Sequence, residues 1–467
     1  MSNQKLRGKD LDKINYPTDQ AKSMALEIVQ KDYKRLPKTE KLNLLEDVLL
    51  HANKYLEHAS FSKLAELFVG KHDAEHGIAY ELREIPENYR VFGGKLILPD
   101  CMQQMDMAMR LPISHSGALM PDAHVGYGLP IGGVLAAKNA VIPYGIGLDI
   151  GCRMSLSIYE LPKNFLKRYA YQIQNALREC THFGIGKDCH LSNDHAVLED
   201  SAFAATALLK QLHGKARMQL GSSGSGNHFV EFGVVELPGQ NQLHLPEGEY
   251  LGILAHSGSR GLGAAIANYY LDIAMQKCHL PKGAQHLAWL DLDGEAGEEY
   301  WLSMNLAGEY AKACHDVIHE NLAKSLGLTC IAKLENHHNF AWKEVLNGQE
   351  LIVHRKGATP AHNGQMGIIP ANMMDAAYLV SGKGNASSLC SASHGAGRRL
   401  SRKKAKESIT GSELRKRLKQ KDICLMGGNV DEAPMAYKNL EEVMHYQKDL
   451  VDVEGKFYPR IVRMDRV

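Results

Sequence analysis

Asp149 and Cys152 set a hard carboxylate oxygen and a soft sulfur within one glycine-broken turn, Gly145-Ile146-Gly147-Leu148-Asp149-Ile150-Gly151-Cys152. Glycine removes the steric bar to positive φ, so both side chains can turn toward one centre. Such a pair suits a borderline divalent ion (Mn, Zn or Fe) better than Mg or Ca. Taken alone, it is also the pattern of a buried cysteine beside a helix-capping aspartate. Four more turns rich in Gly, Ser or Asn each carry a histidine: Gly224-Ser225-Gly226-Asn227-His228, His256-Ser257-Gly258-Ser259-Arg260, Asn336-His337-His338-Asn339 and Ser393-His394-Gly395-Ala396-Gly397. A bridging thiolate, one carboxylate and three imidazoles would hold one or two transition-metal ions and leave positions open for substrate oxygens. One imidazole then remains as a nucleophile toward phosphorus. Spacing does not say which of the four it is.

The elements that must position these turns follow from apolar period and from Gly and Pro punctuation. Helices are expected up to about residue 75: Thr18 or Asp19 opens one through Leu36, a second after Pro37 carries Leu45, Val48, Leu49, Ala52, Tyr55 and Leu56 on one face, and Ser62 opens a third through Phe68. His51 and His58 read as surface histidines of this appendage. Short strands are expected over 95–98, 131–136 and 141–142, the last running straight into the Asp149 turn. Between them lies a loop dense in functional groups, Pro121-Asp122-Ala123-His124-Val125-Gly126-Tyr127-Gly128. Helices follow at 174–177 and 203–212, with Cys180, His182, Cys189, His190 and His195 read as structural. Strand 251–255 ends at His256, helices are expected over 264–274 and 298–325, and strand 350–354 leads into a basic loop, 355–359, before Pro360.

With 44% hydrophobic and 23% charged residues over 467 positions, the composition is that of a globular protein large enough for a substantial core. A net charge of +1 announces no global polyanion binder. Any such surface is local, and 398–421 is the candidate, with eleven Lys or Arg against two Glu. Nine cysteines without a Cys-x-x-Cys pair point to free thiols in a reducing compartment. Met1 to Lys13 lacks the apolar core of a signal peptide, and no apolar run approaches the ~18 residues of a membrane span. The expectation is a cytoplasmic protein without a membrane partner.

Pro121-Asp-x-His-x-Gly-Tyr-Gly with Pro130-Ile-Gly-Gly, Gly147-x-Asp149-Ile-x-Cys152 and Gly224-Ser-Gly-Asn-His228-Phe together resemble the RtcB family of GTP-dependent RNA ligases. So do His256-Ser-Gly-Ser-Arg260-Gly-Leu-Gly, His338-Asn, His354-Arg-Lys-Gly-Ala-Thr and His394-Gly-Ala-Gly-Arg, all in the family's order. The resemblance implies an α+β fold: a single large catalytic body of mixed sheets and helices over 81–467, with a helical amino-terminal extension over 1–80. It implies two Mn²⁺ ions held by Asp149, Cys152, His228, His256 and His338, with Cys152 as the bridge. His394 matches the histidine that takes GMP from GTP, and Asp122 the carboxylate that orients it. Asn227 and Arg260 match phosphate contacts; Glu231, Asn339, Ala396, Gly397 and Tyr437 match positions around the guanine nucleotide. His337 is out of register with the ligand motif. The implied reaction joins an RNA 3′-phosphate or 2′,3′-cyclic phosphate end to a 5′-hydroxyl end in RNA repair or tRNA splicing, with an archease-type protein as activating partner.

Departures from the family pattern cluster around the base. The chain ends Met464-Asp465-Arg466-Val467 where a Lys-Gly tail is usual, and Pro370-Ala371-Asn372-Met373-Met374 stands for Pro-Gly-Ser-Met-Gly. Ala377 and Pro360 also differ, which implies a divergent branch. Two rival readings are a metal-dependent phosphodiesterase acting on RNA ends without ligation and a non-catalytic RNA-binding protein. Only the ligase predicts a covalent nucleotide, and a binding module has no need of a thiolate–imidazole cluster.

Overall fold

The computed structural model describes residues 6–465 except 15, 17, 35, 51, 57, 69–76 and 185–192. The chain divides into two units, Met1–Ile78 and Ala79–Val467. In the first, Thr18 caps the helix Asp19–Lys31 by accepting the Ala21 N–H at 3.1 Å, as its residue type predicts. This helix stops at Lys31, short of the expected Leu36, and a second runs over Lys38–Leu50. Tyr55 belongs to a separate 3₁₀ turn, Ala52–Tyr55. Ala25, Leu45, Val48, Phe61 and Phe68 bury their side chains together. His58 is half-buried with its ring 5.2 Å from that of Phe61, so it packs rather than standing free on the surface. His51, Cys189 and His190 lie outside the described residues.

The second unit is α+β, built on two large sheets. The first has five strands in the order Asn339–Leu346, Gln349–Lys356, Ile131–Ala137, Ser114–His124 and Tyr89–Val91. The second has eight, with Ala332–His337, Arg153–Tyr159, Gly248–Ser257, Phe229–Leu237, Val451–Met464, Ala377–Gly382 and Met366–Ile369 in sequence and Cys424–Met426 paired beside Val451–Met464. Arg153–Tyr159 is buried throughout, the mark of a strand covered on both faces. One cover is the helix Glu295–Leu326, whose Ile318 and Leu322 pack on Leu251, Ile253 and Ala255. No helix among the described residues is long and apolar enough to cross a membrane. The eight described cysteines are all free thiols.

Four local expectations are corrected. The loop expected over 121–128 begins only after His124, because Pro121 to His124 close the strand Ser114–His124. Residues 95–98 are no strand: Gly93 at φ +62° turns the chain into the 3₁₀ turn Gly94–Leu96, and Pro99 opens the helix Pro99–Met109. A helical turn, Pro143–Ile146, stands between the strand Ala140–Val141 and the Asp149 turn. Residues 355–359 are no loop, because the strands Gln349–Lys356 and Ala358–Pro360 take nearly all of them. Arg355 is fully buried, forked onto Glu344 at 2.6 and 3.1 Å and lying 4.7 Å above the Trp342 ring. A buried guanidinium needs such pairing, and polarity alone gives no warning of it.

His354 on the same strand is structural, and its tautomer is fixed. Nε2 accepts the Ile142 N–H at 2.9 Å, so Nδ1 carries the proton that it donates to the Leu135 carbonyl at 3.1 Å. Burial pushes the ring down to about 4. The unfolded chain, near the ordinary value of ~6.5, takes up this proton first. Stability is therefore expected to fall by ~1.4 kcal/mol per pH unit from this group as pH drops from about 6.5 toward 4, and to be flat above. Urea unfolding at several pH values measures the slope, and His354→Gln should remove this share of it.

Candidate active site

Strand register gathers the donors. Arg153 pairs with Ser257 on one side and His337 on the other, while His256 pairs with Phe229. Cys152, His228, His256 and His338 thus lie at one end of four neighbouring strands, each at or one residue from a paired position. His338 is also the single residue between Ala332–His337 of the larger sheet and Asn339–Leu346 of the smaller. Cys152 Sγ lies 3.4 Å from His228 Nε2 and 3.2 Å from His256 Nε2. His256 Nε2 is 3.2 Å from His338 Nε2, and Asp149 Oδ2 is 3.0 Å from His228 Nε2. Close approach demands glycine at two places: a Cβ on Gly258 would fall 1.9 Å from Asp149 Oδ1, and one on Gly224 1.7 Å from His228 Nδ1.

The donor set fits a metal ion. His256 donates Nδ1–H to the Asn227 carbonyl at 3.0 Å, which leaves Nε2 as a bare lone pair aimed at Cys152 and His338. Burial and the neighbouring His228 hold that ring down at about 3. Burial would raise Asp149, but His228 outweighs it and keeps the carboxylate at about 2. Burial, then Asp149, pushes the Cys152 thiol up, a bias that a coordinated divalent ion reverses outright. Lone pairs crowded this closely repel unless a cation lies among them. Ligands at 2.0–2.3 Å from a tetrahedral ion stand ~3.5 Å apart, close to the separations found here.

His394 faces this cluster, its ring 5.1 Å from that of His338. Its Nδ1 lies 2.7 Å from Asp122 Oδ2, which also accepts the His394 backbone N–H at 3.2 Å. Asp122 is fully buried; burial would raise its pKa, but the His394 hydrogen bond together with the charges of His394, Lys438 and His124 holds it below the usual value. An ionised acceptor fixes the proton on Nδ1 and leaves Nε2 free. Lys438 steadies the arrangement from behind, donating to the Pro121 carbonyl at 3.1 Å and the Ala123 carbonyl at 2.8 Å. Gly397, at φ +72°, sits where any Cβ would strike the Asp122 carbonyl at 2.0 Å.

A cavity of about 820 Å³ opens over this centre, lined by His256, His338 and His394 and, among the other anticipated residues, by Asn227, Ala396, Gly397 and Tyr437. Ala371, Asn372, Met373 and Met464, all in segments that depart from the family pattern, line it too. The remaining anticipated contacts stand elsewhere. Glu231 is buried in the strand Phe229–Leu237, where desolvation pushes its carboxyl well up. Arg260 donates to the Gly184 carbonyl at 2.8 Å and Ser222 Oγ at 3.1 Å. Asn339 braces the Asp149 turn, donating to the Asp149 carbonyl at 3.3 Å and accepting the Gly357 N–H at 2.9 Å. His337 turns away and accepts from Arg153 at 3.0 Å.

Sequence reasoning missed Lys438 and the buried carboxylates beside Tyr437. Glu432 accepts from Tyr437 and from Arg402, and lies 3.2 Å from Arg398; Arg402 also meets Asp431 at 3.1 Å. Two cations of the 398–421 run are therefore consumed internally. The signal was present in Asp431-Glu432 and Lys438, but only contact over tens to hundreds of positions gives it meaning.

Fold and donor set together define the class: an α+β protein with a buried cysteine–histidine cluster able to hold a metal ion at its sheet ends. The chain belongs to the RtcB family; the family model described as tRNA-splicing ligase RtcB matches residues 103–208 and 191–465. It is 33% identical over 384 residues to the RNA-splicing ligase RtcB1 of Escherichia coli ATCC 25922, covering 76% of this chain and 91% of that one. The tRNA-splicing ligase RtcB of Nanoarchaeum equitans is 31% identical over 422 residues, covering 75% and 87%. An Entamoeba dispar RNA-splicing ligase RtcB homolog is 28% identical over 414 residues, covering 74% and 79%.

Proposed function

We propose that this chain is an RNA ligase that joins a 3′-phosphate or 2′,3′-cyclic phosphate RNA end to a 5′-hydroxyl end through a histidine–GMP intermediate, in RNA repair or tRNA splicing. The observation that carries the reading is the Asp122–His394 hydrogen bond, which frees Nε2 of an imidazole facing the metal-binding cluster. His394 Nε2 attacks the α-phosphorus of GTP and pyrophosphate leaves, while Asp122 stabilises the positive charge on the ring. The GMP group passes to the RNA 3′-phosphate, whose activated end the 5′-hydroxyl attacks with loss of GMP. Asp149, Cys152, His228, His256 and His338 would hold Mn²⁺, which would supply Lewis acidity to each substitution at phosphorus. Asn227, Ala396, Gly397 and Tyr437 bind the nucleotide from the cavity wall; Glu231, Arg260 and Asn339 act from behind it. An archease-type activating protein and a cytoplasmic setting complete the reading, as does a division of labour in which 81–467 carries the chemistry and 1–80 is an extension.

The test is incubation with α-labelled GTP, and separately ATP, plus Mn²⁺, followed by denaturing electrophoresis. GTP should label the parent chain and leave His394→Ala unlabelled. If neither nucleotide labels the protein while 2′,3′-cyclic ends are still opened, the chain is a phosphodiesterase instead.

A further inference from the structure

We propose that a second groove, walled by Phe165–Arg168 and Gly411–Gln420, docks the body of the single-stranded RNA whose end reacts at His394. The proposal rests on the ligase reading for its choice of polyanion. The groove encloses about 1140 Å³ and shares no lining residue with the reaction cavity. Its floor includes Ile423, Cys424 and Leu425, and Leu414 and Leu418 face into it from the helix.

Charge favours a polyanion. Lys163, Lys167, Arg415, Lys419 and Arg460 line the groove against only Glu249 and Asp422. None of the five cations makes an ion pair among the described residues. On the same helix Arg417, off the groove, is spent on Glu413 at 2.9 Å. Uncompensated charge concentrated in a low-dielectric cleft focuses the field on an incoming anion. The basic run that reads as one charged segment is thus divided by the fold: Arg398 and Arg402 turn inward to Glu432, and Arg415 and Lys419 face the groove.

Ring chemistry favours a nucleic acid over an acidic peptide. Phe165 lines the groove with its ring 4.9 Å from that of Tyr169, and Tyr171, two residues further along, is 71% exposed. Phe165 stands in the groove between Lys163 and Lys167, with Tyr169 and Tyr171 just outside its lining, which sets an aromatic face beside phosphate-binding cations, the pairing that holds unpaired bases without sequence preference. Location agrees with this occupant. The wall continues through Asn429 and Val430 directly to Glu432, which lines the reaction cavity.

The test replaces Lys163, Lys167, Arg415 and Lys419 together with alanine in the full chain; all four are exposed and none lines the reaction cavity. Lys416→Ala with Arg417→Ala serves as the matched control, and melting temperatures verify folding. Binding of a fluorescein-labelled 20-nucleotide single-stranded RNA is followed by anisotropy across a salt series. The quadruple variant should bind about 10–100-fold more weakly at 0.1 M salt, with a log–log salt slope shallower by roughly 2–3. Nucleotide labelling of His394, which needs no RNA, should be unchanged. Affinity and slope equal to the parent's overturn the proposal. Unchanged RNA binding with loss of oligoglutamate binding overturns it in favour of a protein-docking face. If the parent takes no nucleotide label yet its RNA binding still depends on the four cations, the groove stands and the ligase reading falls.

Discussion

Asp122→Asn should fold normally and slow nucleotide attachment to His394 by about 10²–10⁴-fold. Asp122 accepts two hydrogen bonds from one residue, at 2.7 Å from the ring and 3.2 Å from the backbone, and Lys438 secures the carbonyls on either side of it. An amide nearly preserves this volume. It can, however, present its NH₂ to Nδ1, and the ring then takes its proton on Nε2, the atom needed as nucleophile. It also removes the negative charge that stabilises the ring once phosphorus is bound. Single-turnover labelling with α-labelled GTP measures the step before any RNA is involved. Labelling at the parent's rate in Asp122→Asn would mean that the carboxylate is only structural.

Cys152→Ala should abolish tight metal binding and, with it, ligation. Its sulfur sits at 3.4 and 3.2 Å from the Nε2 atoms of His228 and His256, a crowding of lone pairs that a cation among them relieves. Removing an outer partner of a ligand costs 10–100-fold in metal affinity, and removing a donor that touches the ion itself should cost more. Linkage makes this visible without an activity assay. At an Mn²⁺ concentration 100 times the parent's dissociation constant, the ion adds ~2.7 kcal/mol to stability. A variant binding at least 100-fold more weakly retains ~0.4 kcal/mol or less. The melting shift on adding Mn²⁺ should nearly vanish, and elemental analysis of the purified variant should find little metal. A full shift in Cys152→Ala would remove the sulfur from the site.

What could be read in advance was the chemistry of the turns. Each histidine sits among residues that permit tight backbone approach, and Gly224, Gly258 and Gly397 are where a methyl group would collide with a functional atom. Helix caps such as Thr18 were legible because they act over three residues. What stayed hidden was set at long range. Arg355 reads as loop charge until Glu344 and Trp342 enclose it, and Lys438 is an ordinary surface residue until the fold brings it against Pro121 and Ala123. Arg398 and Arg402 likewise lose their freedom only because Asp431 and Glu432 are brought beneath them.

His338 is a one-residue joint at which the chain steps from one sheet to the other, and it points a ring into the donor cluster. An ion seated there rivets the two halves of the scaffold together. It can do so only after strands from distant parts of the chain have found their partners. On the proposed function, a nascent or half-assembled molecule would have nowhere to seat the ion, and so no means of arming His394 before the scaffold is finished.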